Sequence, residues 1–167
     1  YPEVIAPIHR NKYLNNLDRK KFFSLYLNSQ NKLLNRTLKI FSYLLDVFNF
    51  FNIEKIFLKN NVNIVFHAAA YKHLFLLENN ELSAFKNNVC STFYLAKTSS
   101  KKNVEKFINI STDKAVIPTS IMGTTKFLAE NIIFNFAENK NNTCIFSNVR
   151  FGNVINSRGS IIPIFKK

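Results

Sequence analysis

Short runs of β-forming residues alternate with longer segments of helical periodicity along the whole chain. Parallel strands need a long crossover between them, so this alternation is typical of βαβ units and a parallel sheet. Strands are predicted at Val4–Ile8, Leu38–Leu44, Asn63–His67, Lys106–Ser111 and Cys144–Val149. Helices are predicted between them, at Tyr13–Asn28, Asn52–Lys59, Leu82–Ser100 and Ser120–Asn139. The sequence therefore predicts an α/β fold.

The carboxyl ends of the predicted strands carry polar residues that a buried sheet does not otherwise need. Because crossover connections between parallel strands are right-handed, functional loops gather at this edge of the sheet. The rule selects loops that begin at Asp46, at Ala68 and at Ser111, and a fourth that opens with Arg150.

Length and charge narrow the classes of partner. The 167 residues accommodate one domain with a real core, but not a cofactor domain plus a full substrate domain. The net charge of +13 points to nucleic acid, anionic membranes or phosphate-bearing ligands. The paired lysines are scattered and form no basic stripe interleaved with aromatic residues. We therefore expect no nucleic-acid binding.

Neither a metal site nor a membrane segment is predicted. Cys90 and Cys144 lack metal-ligand spacing, which indicates reduced, buried thiols. The most apolar stretch, residues 40–58, is interrupted by charged and amide residues and fails the length criterion for a spanning helix. The first residues also lack the order of a signal peptide. We therefore expect a cytoplasmic location for this chain.

Four stretches of the sequence share a pattern with one known family. They are VNIVFHAAAYKH (62–73), AFKNNV (84–89), INISTDKAVIPTSIMGTTK (108–126) and VRFGNVINSRGSIIPIF (149–165). Their order and spacing resemble the CapD-like polysaccharide biosynthesis proteins, which are extended short-chain dehydrogenases best known for 4,6-dehydration of UDP-N-acetylglucosamine. HRNKYLNNL (9–17) resembles the turn and helix after the family's second strand, although His9 stands where an acidic residue is common.

This resemblance has consequences for fold, cofactor and partners. It implies a Rossmann-like, doubly wound parallel sheet. It also implies NAD or NADP as the cofactor and a UDP-sugar as the substrate, and it allows a homo-oligomer in the intact enzyme.

Met122 and Lys126 lie four residues apart, on one face of a predicted helix. In short-chain dehydrogenases this spacing is usually Tyr then Lys, and the Lys holds the nicotinamide ribose. The resemblance gives Lys126 that role, but the thioether of Met122 has no proton to exchange, so another group must act as the base. The structural alternative is a buried Met beside an exposed helical Lys.

Thr112, Asp113 and Lys114 follow a predicted strand at its carboxyl end. Dehydration needs a base for the carbon 5 proton of the oxidised sugar and an acid for the leaving carbon 6 hydroxyl. The resemblance makes Lys114 the base and Asp113 the acid, with Thr112 bonding the substrate. A neutral Lys and a protonated Asp are unusual states, so the two roles could be exchanged. The structural alternative is an Asp-Lys pair that caps a turn before Pro118.

Cofactor contacts are predicted in two further loops. Ala68, Ala69 and Ala70 follow a buried strand, and such small residues let the backbone approach a dinucleotide closely. By resemblance, Asp46 accepts a hydrogen bond from the adenine amino group, and Val47 completes the Asp-Val pair.

Substrate contacts are predicted from polar residues in three of the motifs. By resemblance, Lys72 lies near the sugar and Asn88 orders the active-site Lys, although Asn88 could also be an ordinary polar helix residue. Arg150, Asn153 and Arg158 offer charged and amide donors that suit the phosphates of a UDP-sugar.

The 167 residues contain no GxGxxG or GxxGxxG motif. We therefore expect residues 1–167 to be a partial NAD(P)-binding Rossmann-like domain, lacking the first strand, the Gly-rich loop and most of the substrate domain. Two classes of function stay open, a nucleotide-sugar 4,6-dehydratase that is inactive as this isolated fragment, and a non-catalytic remnant or interaction module. A nucleotide-sugar epimerase is disfavoured, because epimerisation at carbon 4 does not need the Asp113–Lys114 pair.

Overall fold

The computed structural model describes residues 4–8 and 40–152, and the chain divides into two compact units after Val62. In the first unit, strand β1 (Val4–Ile8) pairs in parallel with strand β2 (Ile40–Leu44). Helix α1 (Phe50–Lys59) follows β2, and its first turn is capped by Asn49, whose side chain accepts a hydrogen bond from the Asn52 amide at 3.3 Å.

The second unit begins at Asn63 and contains three strands and four helices among the described residues. In chain order its elements are β3 (Ile64–His67), α2 (Leu74–Leu77), α3 (Glu81–Phe85), a π-helical turn (Lys86–Cys90), α4 (Ser91–Lys101), β4 (Lys106–Thr112), a 3-10 turn (Asp113–Ala115), α5 (Ile121–Glu138) and β5 (Ile145–Phe151). The strands pair in parallel in the order β3-β4-β5. The two strand orders are those expected for strands 2–3 and 4–6 of the doubly wound arrangement.

The core of the second unit lies between β4, β5 and the helices that cover them. The Phe107 ring on β4 is fully buried and lies 5.4 Å from the Phe146 ring on β5, measured between centroids. Phe136 from α5 stacks on Phe146 at 5.3 Å. These aromatic contacts fix α5 against the sheet by burying apolar area.

A polar pair crosses the same region. Asn109 and Asn148 are register partners on β4 and β5, and the Asn109 side-chain amide donates to the Asn148 side-chain carbonyl at 2.8 Å. Asn148 in turn donates to the backbone carbonyl of Glu130 on α5 at 3.1 Å. The two strands and α5 are thereby joined through side-chain amides.

The predicted α/β class, all five strands and the helices within the described residues are confirmed, with ends that differ by a few residues. The helix predicted over Leu82–Ser100 comprises α3, the π-helical turn and α4, and α2 and the 3-10 turn were not predicted because they are too short to show a period. The predicted helix Tyr13–Asn28 and the motif at 9–17 lie outside the described residues.

Among residues 4–8 and 40–152, the helices are all too short or too polar to cross a bilayer. That part of the chain also brings together no group of three or more His, Cys, Asp or Glu side chains with the geometry of a metal site.

Candidate active site

The residues predicted for proton transfer form one hydrogen-bonded cluster at the carboxyl end of β4. The Thr112 hydroxyl donates to Asp113 Oδ1 at 2.8 Å, and Lys114 Nζ donates to the same oxygen at 3.0 Å. The side chains of Asp113 and Lys114 are 54% and 40% exposed. The cluster is therefore open to a ligand while its members hold one another in place.

The hydrogen bonds of this cluster set the charge of Asp113. The bond from Lys114, and then the bond from Thr112, lower the pKa of the Asp113 carboxyl below its usual value. Asp113 is therefore an anion at neutral pH and is paired with the Lys114 ammonium. These are the starting states of a carboxylate base and an ammonium acid, which is the exchanged assignment of the two roles.

Helix α5 begins directly against the turn that carries this pair. Ser120 caps the helix, and its hydroxyl accepts a hydrogen bond from the Gly123 amide at 3.1 Å. A Cβ added at Gly123 would lie 2.6 Å from the backbone oxygen of Lys114. The absence of a side chain at Gly123 therefore allows the helix and the turn to make close backbone contact.

Lys126 reaches from α5 to the same end of β4. Its side chain is buried, and Nζ donates to the Ile110 carbonyl at 2.6 Å. Burial lowers the pKa of the Lys126 amine to about 8, although the charge of Glu130 opposes this shift. An amine carries three donors when protonated, and the bond to Ile110 uses one of them. Lys126 can therefore bind a further acceptor.

Met122 packs into a small apolar cluster. It is buried with Leu77 and Ala84, and Ile121 packs against the group. The contacts of Met122 are thus apolar packing contacts, and its role in catalysis stays a prediction.

The loop after β3 is held by Asn88. Ala68 is exposed, and Ala69 and Ala70 are half-buried. The side chain of Asn88 accepts from the Tyr71 backbone amide at 2.8 Å and donates to the Tyr71 carbonyl at 3.1 Å. Its other amide hydrogen bonds the Thr125 hydroxyl at 3.0 Å, one residue before Lys126. Asn88 thus uses both of its donors within the protein, so we interpret it as a positioning residue.

The π-helical turn presents Asn88 to these partners. The Thr92 hydroxyl donates to the Asn88 backbone carbonyl at 2.7 Å, and His67 Nε2 lies 2.9 Å from the same hydroxyl. Asn88, Thr92 and His67 are all at most 2% exposed. Sequence reasoning missed His67, Thr92 and Thr125, because their contacts join elements that are distant along the chain.

Arg150 is exposed and forms an ion pair with the buried Glu130. Its Nε donates to Glu130 Oε1 at 2.9 Å, and its Nη2 donates to Oε2 at 2.6 Å. Two of the three guanidinium nitrogens are therefore occupied by Glu130, and phosphate binding by Arg150 stays a prediction. Asn153 and Arg158 lie outside the described residues.

Glu130 is a further functional candidate that the sequence did not suggest. Its residue is 2% exposed. Burial alone would raise the pKa of its carboxyl, but the hydrogen bonds from Arg150 and the charges of Arg150 and Lys126 outweigh burial and lower it. The four-residue spacing from Lys126 was a signal, but such spacing is also common on exposed helix faces.

The remaining predicted residues are placed as follows. Asp46 is exposed after β2 in the first unit, where its Oδ1 accepts from the Phe48 amide at 3.0 Å, and Val47 beside it is buried. Lys72 is exposed in the loop after β3. The second unit thus brings together Thr112, Asp113, Lys114, Met122 and Lys126, with the alanine loop tied to them through Asn88.

A family model described as polysaccharide biosynthesis protein matches residues 8–167. Among curated relatives, the capsular polysaccharide biosynthesis protein CapD of Staphylococcus aureus is 49% identical over 61% of this chain and 17% of its own length. An inverting UDP-N-acetylglucosamine 4,6-dehydratase of Campylobacter jejuni is 38% identical over 64% of this chain and 32% of its own length. A UDP-glucose 4-epimerase of Rickettsia canadensis is 35% identical over 76% and 37%. The matched part of the chain thus spans well under half of each relative.

Solved structures share the fold. The X-ray structure of Pen from Bacillus thuringiensis superposes with a TM-score of 0.76 at 31% identity, over 95% of this chain and 45% of that one. MoeE5 in complex with UDP-glucose and NAD gives a TM-score of 0.66 at 19% identity, over 78% of this chain and 50% of that one. These likenesses confirm the predicted Rossmann-like α/β fold.

Proposed function

We propose that this chain, which belongs to the polysaccharide biosynthesis protein family, carries the catalytic residues of a nucleotide-sugar 4,6-dehydratase. The family match confirms the resemblance predicted from the sequence. The observation that carries the proposal is the hydrogen-bonded Thr112–Asp113–Lys114 cluster, which shares the carboxyl end of β4 with Lys126. The name of the Campylobacter jejuni relative supports UDP-N-acetylglucosamine as the substrate.

The reaction needs two proton transfers at neighbouring carbons. Once carbon 4 of the sugar is a ketone, the carbon 5 proton is acidic, and its removal expels the carbon 6 hydroxyl as water. The Asp113 carboxylate takes the carbon 5 proton, and the Lys114 ammonium gives a proton to the leaving oxygen. The ion pair between the two side chains and the lowered pKa of Asp113 support this assignment.

The opposite assignment requires one earlier step. A proton that moves along the 3.0 Å hydrogen bond from Lys114 to Asp113 leaves a neutral amine base and a carboxylic acid. A bound sugar that excludes water would favour this neutral pair, because burial disfavours charged forms. In either assignment the pair gains the carbon 5 proton and gives one proton to the leaving oxygen. The total number of protons on the two residues is therefore unchanged.

NAD or NADP is the proposed cofactor, and bound dinucleotide would supply the hydride chemistry for oxidation at carbon 4 and for reduction at carbon 6, where loss of water leaves a double bond to carbon 5. Carbon 5 regains a proton as that double bond is reduced. The residues present fit this ligand in two respects. Lys126 offers a buried ammonium with donors beyond its bond to Ile110, suited to ribose hydroxyls. Ala68, Ala69 and Ala70 offer a loop without bulky side chains at the end of β3. We propose that residues 1–167 form part of the NAD(P)-binding domain.

The test replaces each member of the pair in the full-length protein. Asp113→Asn and Lys114→Ala should each lower formation of the 4-keto-6-deoxy product by about 10²- to 10⁴-fold, since each removes a positioned acid or base. Cofactor binding, measured by fluorescence titration, should be unchanged. Lys140→Ala, which removes an exposed lysine in the turn after α5, is the matched control. Near-normal turnover in both variants would refute the acid and base roles of Asp113 and Lys114.

A nucleotide-sugar 4-epimerase is the second candidate, because the Rickettsia relative has that name. Dehydration in deuterated water incorporates deuterium at carbon 5, whereas epimerisation at carbon 4 does not break the carbon 5 bond. Proton NMR of the product therefore separates the two activities. Absence of both products from the full-length protein would favour the non-catalytic alternative.

A further inference from the structure

Glu130 occupies a position that an ordinary surface helix would give to an apolar residue. It lies one turn after Lys126 on α5, and its side chain is 2% exposed. Arg150 reaches it from β5 with two parallel hydrogen bonds of 2.9 and 2.6 Å. A buried carboxylate is costly unless it is paired and hydrogen-bonded, and the two-point contact with Arg150 meets that requirement.

The charged and polar groups around Lys126 come from three elements. Glu130 lies one turn after Lys126 on α5, and Arg150 on β5 forms an ion pair with Glu130. On β4, the Ile110 carbonyl accepts a hydrogen bond from Lys126 Nζ. Lys126 and Glu130 are both buried and lie one helical turn apart on α5, so the Glu130 carboxylate opposes the lowering of the Lys126 pKa.

We infer that Glu130 is a positioning residue of the proposed site, which fastens α5 to the carboxyl end of β5 through Arg150 and supplies the negative charge beside the Lys126 ammonium. The inference rests on the proposed function for the importance of Lys126, but the contact itself does not depend on which sugar is bound. The Glu130–Arg150 contact joins the part of α5 that carries Lys126 to the carboxyl end of β5. The segment predicted to bind phosphate begins at that strand end, with Arg150.

The test measures the titration of Lys126 in the full-length protein without substrate. In ¹³C-labelled lysine spectra, the signal missing from Lys126→Arg is assigned to Lys126. Glu130→Gln keeps the size of the side chain and removes its charge, so the proton affinity of Lys126 should fall about tenfold or more. Glu130→Asp keeps the charge and should leave the proton affinity within about threefold of the wild type.

The matched control is Glu138→Gln. It makes the same change of charge at an exposed position of the same helix, eight residues beyond Glu130, and should not move the midpoint. An unchanged midpoint in Glu130→Gln, or an equal fall in Glu138→Gln, overturns the inference. If Glu130→Gln does not fold, a tenfold fall in Glu130→Asp overturns it instead.

Turnover gives the second reading. With UDP-N-acetylglucosamine, the alkaline limb of the pH profile should move to lower pH in Glu130→Gln, because Lys126 loses its proton earlier. A purely structural defect would lower the rate without moving this limb. If the wild type does not use the sugar, the proposed function fails while the NMR titration still decides the role of Glu130.

Discussion

Gly123→Ala tests how closely the proton-transfer pair depends on α5. The new Cβ would lie 2.6 Å from the Lys114 carbonyl, 3.3 Å from the Ser120 hydroxyl and 3.4 Å from Pro118 Cα. Two of these neighbours are backbone atoms, which cannot rotate away. Ordinary contact begins near 3.4 Å, so the helix and the Asp113–Ala115 turn must separate by about 0.8 Å.

This displacement should affect activity more than stability. Overpacking typically costs about 1–3 kcal/mol, while the better helix preference of Ala returns at most about 1 kcal/mol. The net loss of unfolding free energy should therefore be no more than about 3 kcal/mol. A misplacement near 1 Å costs about a hundredfold in rate, because Lys114 and Asp113 move relative to Lys126.

The assay compares urea unfolding with turnover of UDP-N-acetylglucosamine in the full-length protein. Thr124→Ala is the control, because it introduces the same residue at the next, exposed position of α5. It should change the unfolding free energy by less than about 0.5 kcal/mol and leave turnover near normal. Wild-type turnover in Gly123→Ala would show that the close contact does not align the pair. A loss of rate in Thr124→Ala equal to that in Gly123→Ala would refute the reasoning equally.

Two further predictions concern buried side chains. Asn88→Ala should lower the unfolding free energy by about 2–4 kcal/mol, since it removes both hydrogen bonds to the Tyr71 backbone and the one to the Thr125 hydroxyl. The exposed Asn131→Ala should cost less than about 0.5 kcal/mol in the same urea titration. A loss below about 1 kcal/mol in Asn88→Ala would contradict the positioning role. Met122→Leu should retain most turnover and lower the unfolding free energy by less than about 1.5 kcal/mol, because it conserves volume and removes no exchangeable proton. Activity as low as that of Lys126→Ala would mean that the thioether has a role that its packing does not explain.

The regular elements were predictable because their signals are local. A buried strand such as β4 is a short apolar run, and α5 begins at a Ser that caps its first turn, so both appear in the sequence. The π-helical turn was not predictable in this way. Its residue Asn88 contacts Tyr71 and Thr125, which lie 17 and 37 residues away, so no local pattern indicates these contacts.

In the candidate site, too, local motifs were predictable and contacts between distant residues were not. Thr112, Asp113 and Lys114 are adjacent in sequence, so a single motif identified the cluster. The partner of Arg150 lies 20 residues earlier on another element, and no local pattern distinguishes a guanidinium that faces a buried carboxylate from one that faces solvent. Pairing of this kind depends on how α5 packs against β5, which the sequence pattern does not specify.

The amide pair between β4 and β5 has a consequence for misfolding. Strands can slip by one residue, and a slip turns every side chain to the opposite face. In the native register the Asn109 side-chain N–H bonds Asn148, whereas a slipped pairing would leave that buried N–H without its partner, at a cost of about 1–3 kcal/mol. It would also misalign the strand ends at Thr112 and Phe151, which are native partners. The pair thus discriminates against an alternative sheet in which the active-site edge would never assemble.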